Sequence, residues 1–235
     1  MKHFLFSSAL AVSVWFTVAS VQSQTNLPAA APAVPVAANQ AVPGLEKHIK
    51  PVLAALKLTD AAQSAKVHDF LAAQLQALQV WHQANDAHIK PLWNQFSKAR
   101  SAQNVTNSAA ALAQLDAIYA TFKPQHDQFL ANLGTVLTPA QVETVKDILT
   151  VNKVSVTYHV YLQIFPTMTD AQKAVVLADL KAAREQAIDC ESMVEKSEFF
   201  KKYKIQIEDV YLTAQGFNPK QARKDFANQS KAAAE

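Results

Sequence analysis

Apolar residues recur three and four positions apart along most of the chain, which is the spacing of one face of an α-helix. The pattern predicts a first helix over residues 45–56 and a long second helix over 59–100. Further stripes predict helices over 108–134, 138–165, 169–189 and 192–216, and a seventh that opens at residue 218. The β-branched and aromatic stretch from Val151 to Tyr161 is also compatible with a strand.

Capping signals mark where several of these helices begin. Thr138 and Thr169 are each followed three residues later by glutamine, and Ser192 is followed by Glu195. In such a capping box the hydroxyl accepts a hydrogen bond from the backbone N–H three residues on, and the longer side chain binds the N–H of the cap. A looser version of the same signal begins at Thr59.

Composition favours a helical fold class. The 235 residues include only 3 glycines, whereas the turns of a β-rich domain need more. Pro51, Pro91 and Pro124 fall inside predicted helices, where proline removes a backbone hydrogen bond. We predict an all-α fold, an antiparallel bundle of about six to seven helices, several of them kinked at proline.

The N-terminal residues have the pattern of a signal peptide over residues 1–23. Lys2 precedes an apolar run from Phe4 to Ala19 that is too short to span a bilayer, and a small-x-small site ends at Ser23. Residues 24–43 are rich in alanine and proline, which favours an extended linker. We therefore expect a helical domain over 44–227 and a disordered tail over 228–235. We expect the protein to be exported to the periplasm or the medium, with no integral membrane segment after signal cleavage.

Polar side chains interrupt the apolar stripes of three predicted helices. A buried polar group is costly unless it is paired, so we expect these side chains to meet one another. They are His82, Asn85 and Asp86 on the second helix, His126 on the third, and Asn152 with Lys153 on the fourth.

Two interpretations of this polar set are open. It is either a buried hydrogen-bond network that sets the helix register or a ligand pocket lined by Trp81, Trp93 and Tyr119. Within such a pocket, His82, Asp86 and His126 are the side chains that would contact a ligand or metal. The chain has no His-x-x-x-His or Glu-x-x-His pair, so we predict no metal and no cofactor.

The net charge, the single cysteine and the motif content limit the classes of function that the sequence supports. A formal net charge of +3 does not indicate nucleic-acid binding, and Lys201, Lys202 and Lys204 are interpreted as a solvated helix face. Cys190 is the single cysteine, so it forms no intrachain disulfide and is predicted to be a small, partly buried thiol. Neither a Gly-rich phosphate loop nor a Gly-x-Ser-x-Gly elbow occurs, and the sequence does not favour an enzyme.

Several short segments of the chain carry a family resemblance. They are Phe122-Lys123-Pro124-Gln125-His126-Asp127-Gln128-Phe129-Leu130, Leu137-Thr138-Pro139-Ala140-Gln141-Val142, Asn152-Lys153-Val154, Glu195-Lys196-Ser197 and Phe200-Lys201-Lys202-Tyr203-Lys204. Together these segments resemble a secreted bacterial family, domain of unknown function 3826. The resemblance covers roughly Leu45 to Phe226, and it implies export and a genetic context of polysaccharide degradation without implying a mechanism.

The Leu/Met-Thr-x-x-Gln starts at Thr138 and Thr169 also resemble those of periplasmic helical chaperones related to Spy and CpxP, although a capping box accounts for the same letters. Three function classes follow. The first is an exported non-catalytic accessory protein that binds a glycan or a protein, with an aromatic-lined groove. The second is a chaperone-like protein with an exposed apolar face. The third is an enzyme acting on saccharides, with His82, Asp86 and His126 in an open cleft.

Overall fold

The computed structural model describes residues 44–232, which form helices and connecting turns and contain no strand. The all-α prediction is therefore confirmed for this part of the chain. The helices are α1 (Glu46–Leu56), α2 (Ala61–Ser101), α3 (Val105–Ala120), α4 (Lys123–Gly134), α5 (Pro139–Leu149), α6 (Lys153–Ile164), α7 (Asp170–Ala187), α8 (Met193–Ile205), a π-helical segment (Gln206–Leu212) and α9 (Pro219–Ala232).

Helix α2 contributes to both apolar clusters of the core, because its 41 residues extend for about 60 Å. Its N-terminal half packs with α1, α4 and α5 around one apolar cluster that includes Leu71 and Phe129. Its C-terminal half packs with α3 and with the helices from α6 onward around a larger cluster that includes Trp93 and Phe199. The stripe predicted on this helix, with Asn85 at its centre, is buried as expected.

The predicted capping boxes are present. The Thr138 hydroxyl accepts from the backbone N–H of Gln141 at 3.3 Å, and the Gln141 side chain accepts from the Thr138 N–H at 2.9 Å. Equivalent boxes begin α7 at Thr169 and α8 at Ser192. The exception is α2, where Asp60, not Thr59, caps the helix by accepting from the N–H groups of Ala62 and Gln63. The Asp60 carboxylate at the adjacent position reaches two free N–H groups of the first turn.

The helix count differs from the predicted six to seven, because three predicted helices are each divided. The third divides at Thr121–Phe122, where Pro124 starts the new helix α4 in its first turn, a position that needs no N–H donor. The sixth changes into the π-helical segment at Gln206. Pro91, in contrast, leaves α2 as one continuous helix.

The predicted fourth helix divides into α5 and α6 at two left-handed residues, Val151 (φ 49°) and Asn152 (φ 55°). The break turns α6 to a new direction, so Val156 is 61% exposed although Val145 on α5 is buried. The stretch from Val151 to Tyr161 is mainly helical and forms no strand.

The helical domain also extends further toward the C-terminus than the predicted boundary. Helix α9 continues to Ala232, whereas the sequence analysis ends the helical domain at Ala227. The predicted signal peptide and linker, residues 1–43, and the last three residues lie outside the described residues.

Candidate functional site

Two of the three predicted polar residues of α2, His82 and Asp86, form a hydrogen-bonded pair. His82 is 0% exposed, and its Nδ1 lies 2.9 Å from the Asp86 carboxylate. Its Nε2 lies 2.9 Å from the backbone carbonyl of Asp189, in the turn after α7. Because a carbonyl can only accept, Nε2 of His82 carries a hydrogen, and this bond connects α2 to the end of α7.

His126 on α4 reaches the same residue. Its Nδ1 lies 3.0 Å from one carboxylate oxygen of Asp189 and 3.1 Å from the other. Asp189 therefore contacts both predicted histidines, one through its backbone and the other through its side chain. The sequence analysis missed Asp189, although an acid between Ile188 and Cys190 was a signal that it would be buried.

Burial disfavours the charged form of His126, but the hydrogen bond and negative charge of Asp189 outweigh it and raise the pKa of His126 above its ordinary value. Burial also raises the pKa of the Asp189 carboxyl, against the lowering effect of His126. This pair thus holds α4 against the end of α7 most strongly when His126 is protonated.

We expect the stability of the protein to depend on His126 in neutral and mildly basic solution. A histidine whose pKa is raised by folding contributes stability that is full below the unfolded value of about 6.5 and is lost as the pH rises through the folded value. The melting temperature of the wild type should therefore fall by a few degrees relative to His126→Gln between about pH 6 and pH 9. A constant difference between the two proteins across this range would contradict the assignment.

The aromatic residues expected to line a pocket pack against one another instead. The ring of Trp81 lies 5.3 Å from that of Tyr119, and Phe199 lies 5.0 Å from both Trp93 and Tyr119. Asn85 donates to the Trp81 carbonyl within α2 at 2.8 Å. These contacts match the structural interpretation of the polar set, and the three rings do not form an open groove.

Asn152 and Lys153 do not reach the other polar residues, which corrects the prediction that all three stripes meet. Asn152 is exposed at the start of α6, with its N–H bonded to the Asp147 carbonyl at 2.7 Å. The ammonium of Lys153 lies 5.6 Å from the centre of the Phe200 ring. The left-handed turn between α5 and α6 causes both differences.

Lys196 on α8 is a buried cation that the sequence analysis did not select, although it lies in the Glu195-Lys196-Ser197 segment of the family resemblance. Its ammonium donates to the carbonyls of Cys190 at 2.7 Å and Ala187 at 3.2 Å, at the negative end of α7. Burial lowers the pKa of Lys196. It borders a cavity of about 180 Å³ shared with His48, Gln74 and Cys190, which is smaller than the roughly 300 Å³ of most ligand pockets.

Cys190 is fully buried, and burial raises the pKa of its thiol. Its sulfur lies 3.7 Å from the Tyr119 hydroxyl. A buried thiol of raised pKa is a poor nucleophile, so Cys190 is a packing residue, and it is more deeply buried than the partly buried thiol that was predicted.

A second region of polar character lies where the end of α2, α8, the π-helical segment and α9 meet. We call it the basic cleft, and it has a volume of about 350 Å³. It is lined by Arg100, Lys201, Lys204, Ile205, Glu208, Asp209 and Arg223. Four of these seven residues are cations, contributed by three different helices.

Of the two acids that line the basic cleft, Glu208 is engaged by its neighbours, whereas Asp209 is exposed. Glu208 accepts from Nε of Arg223 and from the Tyr161 hydroxyl, both at 2.5 Å, and also pairs with the second guanidinium nitrogen of Arg223. Lys201 pairs with Glu198. Within residues 44–232 the Lys204 ammonium forms no salt bridge.

Burial and the neighbouring positive charges together lower the pKa of Lys204. Burial lowers it first, the charges of Arg223, Lys153 and Arg100 lower it further, and Glu208 offsets only part of the effect. Of the three lysines interpreted as a solvated face, Lys201 is exposed as expected, whereas Lys202 and Lys204 are partly buried. Lys202 forms a salt bridge with Asp116 at 2.7 Å, and Lys204 is half-buried.

The other two predicted function classes lack their expected surfaces in the part of the chain that the structure describes. The large exposed apolar residues are spread over several helices, as Val80, Val105, Val175 and Val194 show, and do not indicate a chaperone-like apolar face. His82 and His126 are buried, so they do not meet in the open cleft expected of an enzyme.

Between residues 44 and 232, no helix is both long and apolar enough to cross a bilayer.

Comparison with known proteins places the chain in a family but assigns no activity. No curated protein matches the chain. The model of one family, described as a protein of unknown function (DUF3826), matches residues 45–232, which is most of the chain. The protein belongs to this DUF3826 family.

Proposed function

We propose that the protein is an exported, non-catalytic accessory protein that binds an anionic saccharide in the basic cleft. The observation that carries this proposal is the convergence of Arg100, Lys201, Lys204 and Arg223 on one cleft. A carboxylate or sulfate group entering the cleft would bring Lys204 the counter-charge that Glu208, already paired with Arg223, supplies only in part.

The size and shape of the cleft support a small ligand or one unit of a longer chain. Its volume of about 350 Å³ falls within the roughly 300–1,000 Å³ typical of small-molecule sites. Uronic acids and sulfated sugars carry the charge that this lining favours, whereas a neutral sugar would bring no counter-charge to Arg100 and Lys204. The family resemblance supports the same ligand class, because it implies a context of polysaccharide degradation.

Export is supported by the signal-peptide pattern of residues 1–23 and by the same resemblance. A secreted chain that begins at Gln24, as measured by mass spectrometry, is the expected product. A chain retained in the cytoplasm with its N-terminus intact would contradict export without affecting the binding proposal.

The binding proposal is tested by calorimetry with trigalacturonate, a sulfated disaccharide and neutral maltotriose. We expect the anionic probes to bind and maltotriose not to bind. Lys204→Met and Arg100→Gln should each weaken binding of the anionic probe by about tenfold, the effect of losing one charge-assisted hydrogen bond of about 1.5 kcal/mol. Higher salt should weaken it further, because surface charges are screened.

Lys50→Gln is the matched control, since Lys50 is an exposed lysine on α1 outside the basic cleft. Arg223 is unsuitable as a test position because it holds Glu208 in place. Equal affinity for maltotriose and trigalacturonate, no binding of either anionic probe, or an equal effect of Lys50→Gln and Lys204→Met would each overturn the proposal.

A further inference from the structure

We propose that His82, Asp86 and Glu195 form a binding site for a divalent transition metal ion such as Zn²⁺. One potential ligand atom from each residue lies within 4.8 Å of the other two. These residues come from α2 and α8 and do not line the basic cleft, so the inference is independent of the proposed function.

The distances are close to those that zinc requires. Zn–N and Zn–O bonds of about 2.0–2.2 Å in a tetrahedral site place the ligand atoms about 3.4 Å apart. The Nδ1 of His82 and the carboxylate of Asp86 are already 2.9 Å apart. If these two atoms move slightly apart and the Glu195 carboxylate moves closer, the three ligand atoms occupy three of the four vertices of a tetrahedron. Water is the fourth ligand, as in zinc sites with three protein ligands.

The orientation of His82 suits a metal ligand. Its Nε2–H donates to the Asp189 carbonyl, which leaves Nδ1 as the atom that faces Asp86 and Glu195. Metal-binding histidines characteristically donate their second ring nitrogen to a carbonyl or carboxylate, which fixes the tautomer and the ring. Because His82 is fully buried, its ring is also held by packing.

Glu195 is held in position by its role in helix α8. Its carboxylate accepts from the Ser192 N–H at 3.2 Å with one oxygen, and a carboxylate has a second oxygen with which to bind an ion. Its place in the first turn of α8 keeps the carboxylate near the N-terminal end of the helix, and the residue is buried there.

Two carboxylates give the site the negative charge that a divalent cation needs. Asp86 and Glu195 each carry one negative charge, and the nearby cations are Lys90, in a 2.5 Å contact with Asp86, and the buried Lys196, which interacts with Glu195. The Lys90 side chain is 67% exposed and can turn into solvent when an ion binds, and the Asp86 side chain, 18% exposed, gives the ion its route of entry. Metal binding would release any hydrogen on Nδ1 of His82 and displace the Lys90 ammonium from Asp86.

The test is a titration of the chelator-treated protein with Zn²⁺ by calorimetry and with Co²⁺ by its visible absorption. We expect one ion per chain, and a Co²⁺ spectrum of low coordination number. Asp86→Asn and Glu195→Gln should each weaken Zn²⁺ binding by about tenfold or more. Both substitutions keep the shape of the side chain, and glutamine can preserve the capping box of α8.

Glu191→Gln is the control that separates ligation from general negative charge. Glu191 is exposed, and like Glu195 it raises the pKa of Lys90, after the larger effect of Asp86. Its substitution should leave Zn²⁺ affinity within about twofold. Lys90→Gln should retain or strengthen binding, since it removes the competing cation. No Zn²⁺ bound per wild-type chain, or unchanged binding in Asp86→Asn and Glu195→Gln variants with wild-type melting curves, would overturn the proposal.

Discussion

Replacing Phe199 by alanine should lower the free energy of unfolding by about 3–5 kcal/mol. Phe199 on α8 is 0% exposed, and its ring meets those of Trp93 and Tyr119 edge to face, with centroids 5.0 Å apart in each case. The Lys202 ammonium lies 5.8 Å from the same ring. Alanine would remove the contact that joins α8 to α2 and α3, and rigid helices on three sides cannot close the space that remains.

Urea unfolding measures this effect, with two companion variants on the same helix. Phe199→Leu keeps much of the buried volume and should cost less than Phe199→Ala. Val194→Ala removes methyl groups from a largely exposed side chain and should change stability by no more than about 0.5 kcal/mol. A loss below about 1 kcal/mol for Phe199→Ala would show that the helices move together after the substitution.

Replacing Arg184 by methionine should cost about 3 kcal/mol of stability, the second-largest effect that we expect. Arg184 on α7 is 2% exposed, and its guanidinium donates to Asp147 at 2.6 Å and to Glu143 at 2.8 Å, both on α5. A third contact reaches Glu185 at 3.2 Å. Without the guanidinium, Asp147 loses its cationic partner and the contact of α5 with α7 is weakened, whereas Glu143 and Glu185 keep their pairs with Lys146.

The stability lost on replacing Arg184 is limited, because its acidic partners are partly exposed to solvent. Glu143 and Asp147 are 39% and 35% exposed, so water can solvate them once Arg184 is absent, and the loss lies at the lower end of the range for a buried ion pair. Lys173→Met is the matched control, because Lys173 pairs with the exposed Asp170 on the same helix and should contribute less than about 1 kcal/mol. Equal losses in both variants would contradict the importance assigned to burial.

The capping boxes show which parts of the fold can be predicted locally. The starts of α5, α7 and α8 at Thr138, Thr169 and Ser192 agree with the sequence because each box is completed within four residues. The break between α5 and α6 was not predicted. Val151 and Asn152 adopt left-handed backbone conformations there, and neither glycine nor proline marks the position.

The candidate sites were predictable only where their residues share a helix. His82 and Asp86 are one helical turn apart, so their contact follows from the helical repeat. That His82 and His126 both bind Asp189 depends on the packing of α2 and α4 against the end of α7, which no local spacing encodes. The same applies to Glu195, which lies more than a hundred positions from His82 along the chain.

The all-α class, the main capped helix starts and the apolar stripe of α2 follow from local sequence, because they depend on hydrogen bonds and side-chain periodicity within a few residues. Helix packing, in contrast, brings Arg100, Lys204 and Arg223 to one cleft, leaves Asn152 outside the polar cluster and makes Asp189 the link between two histidines. Contacts of this kind depend on how helices far apart in sequence pack together, and that packing is selected by the burial of the whole core rather than by any single segment.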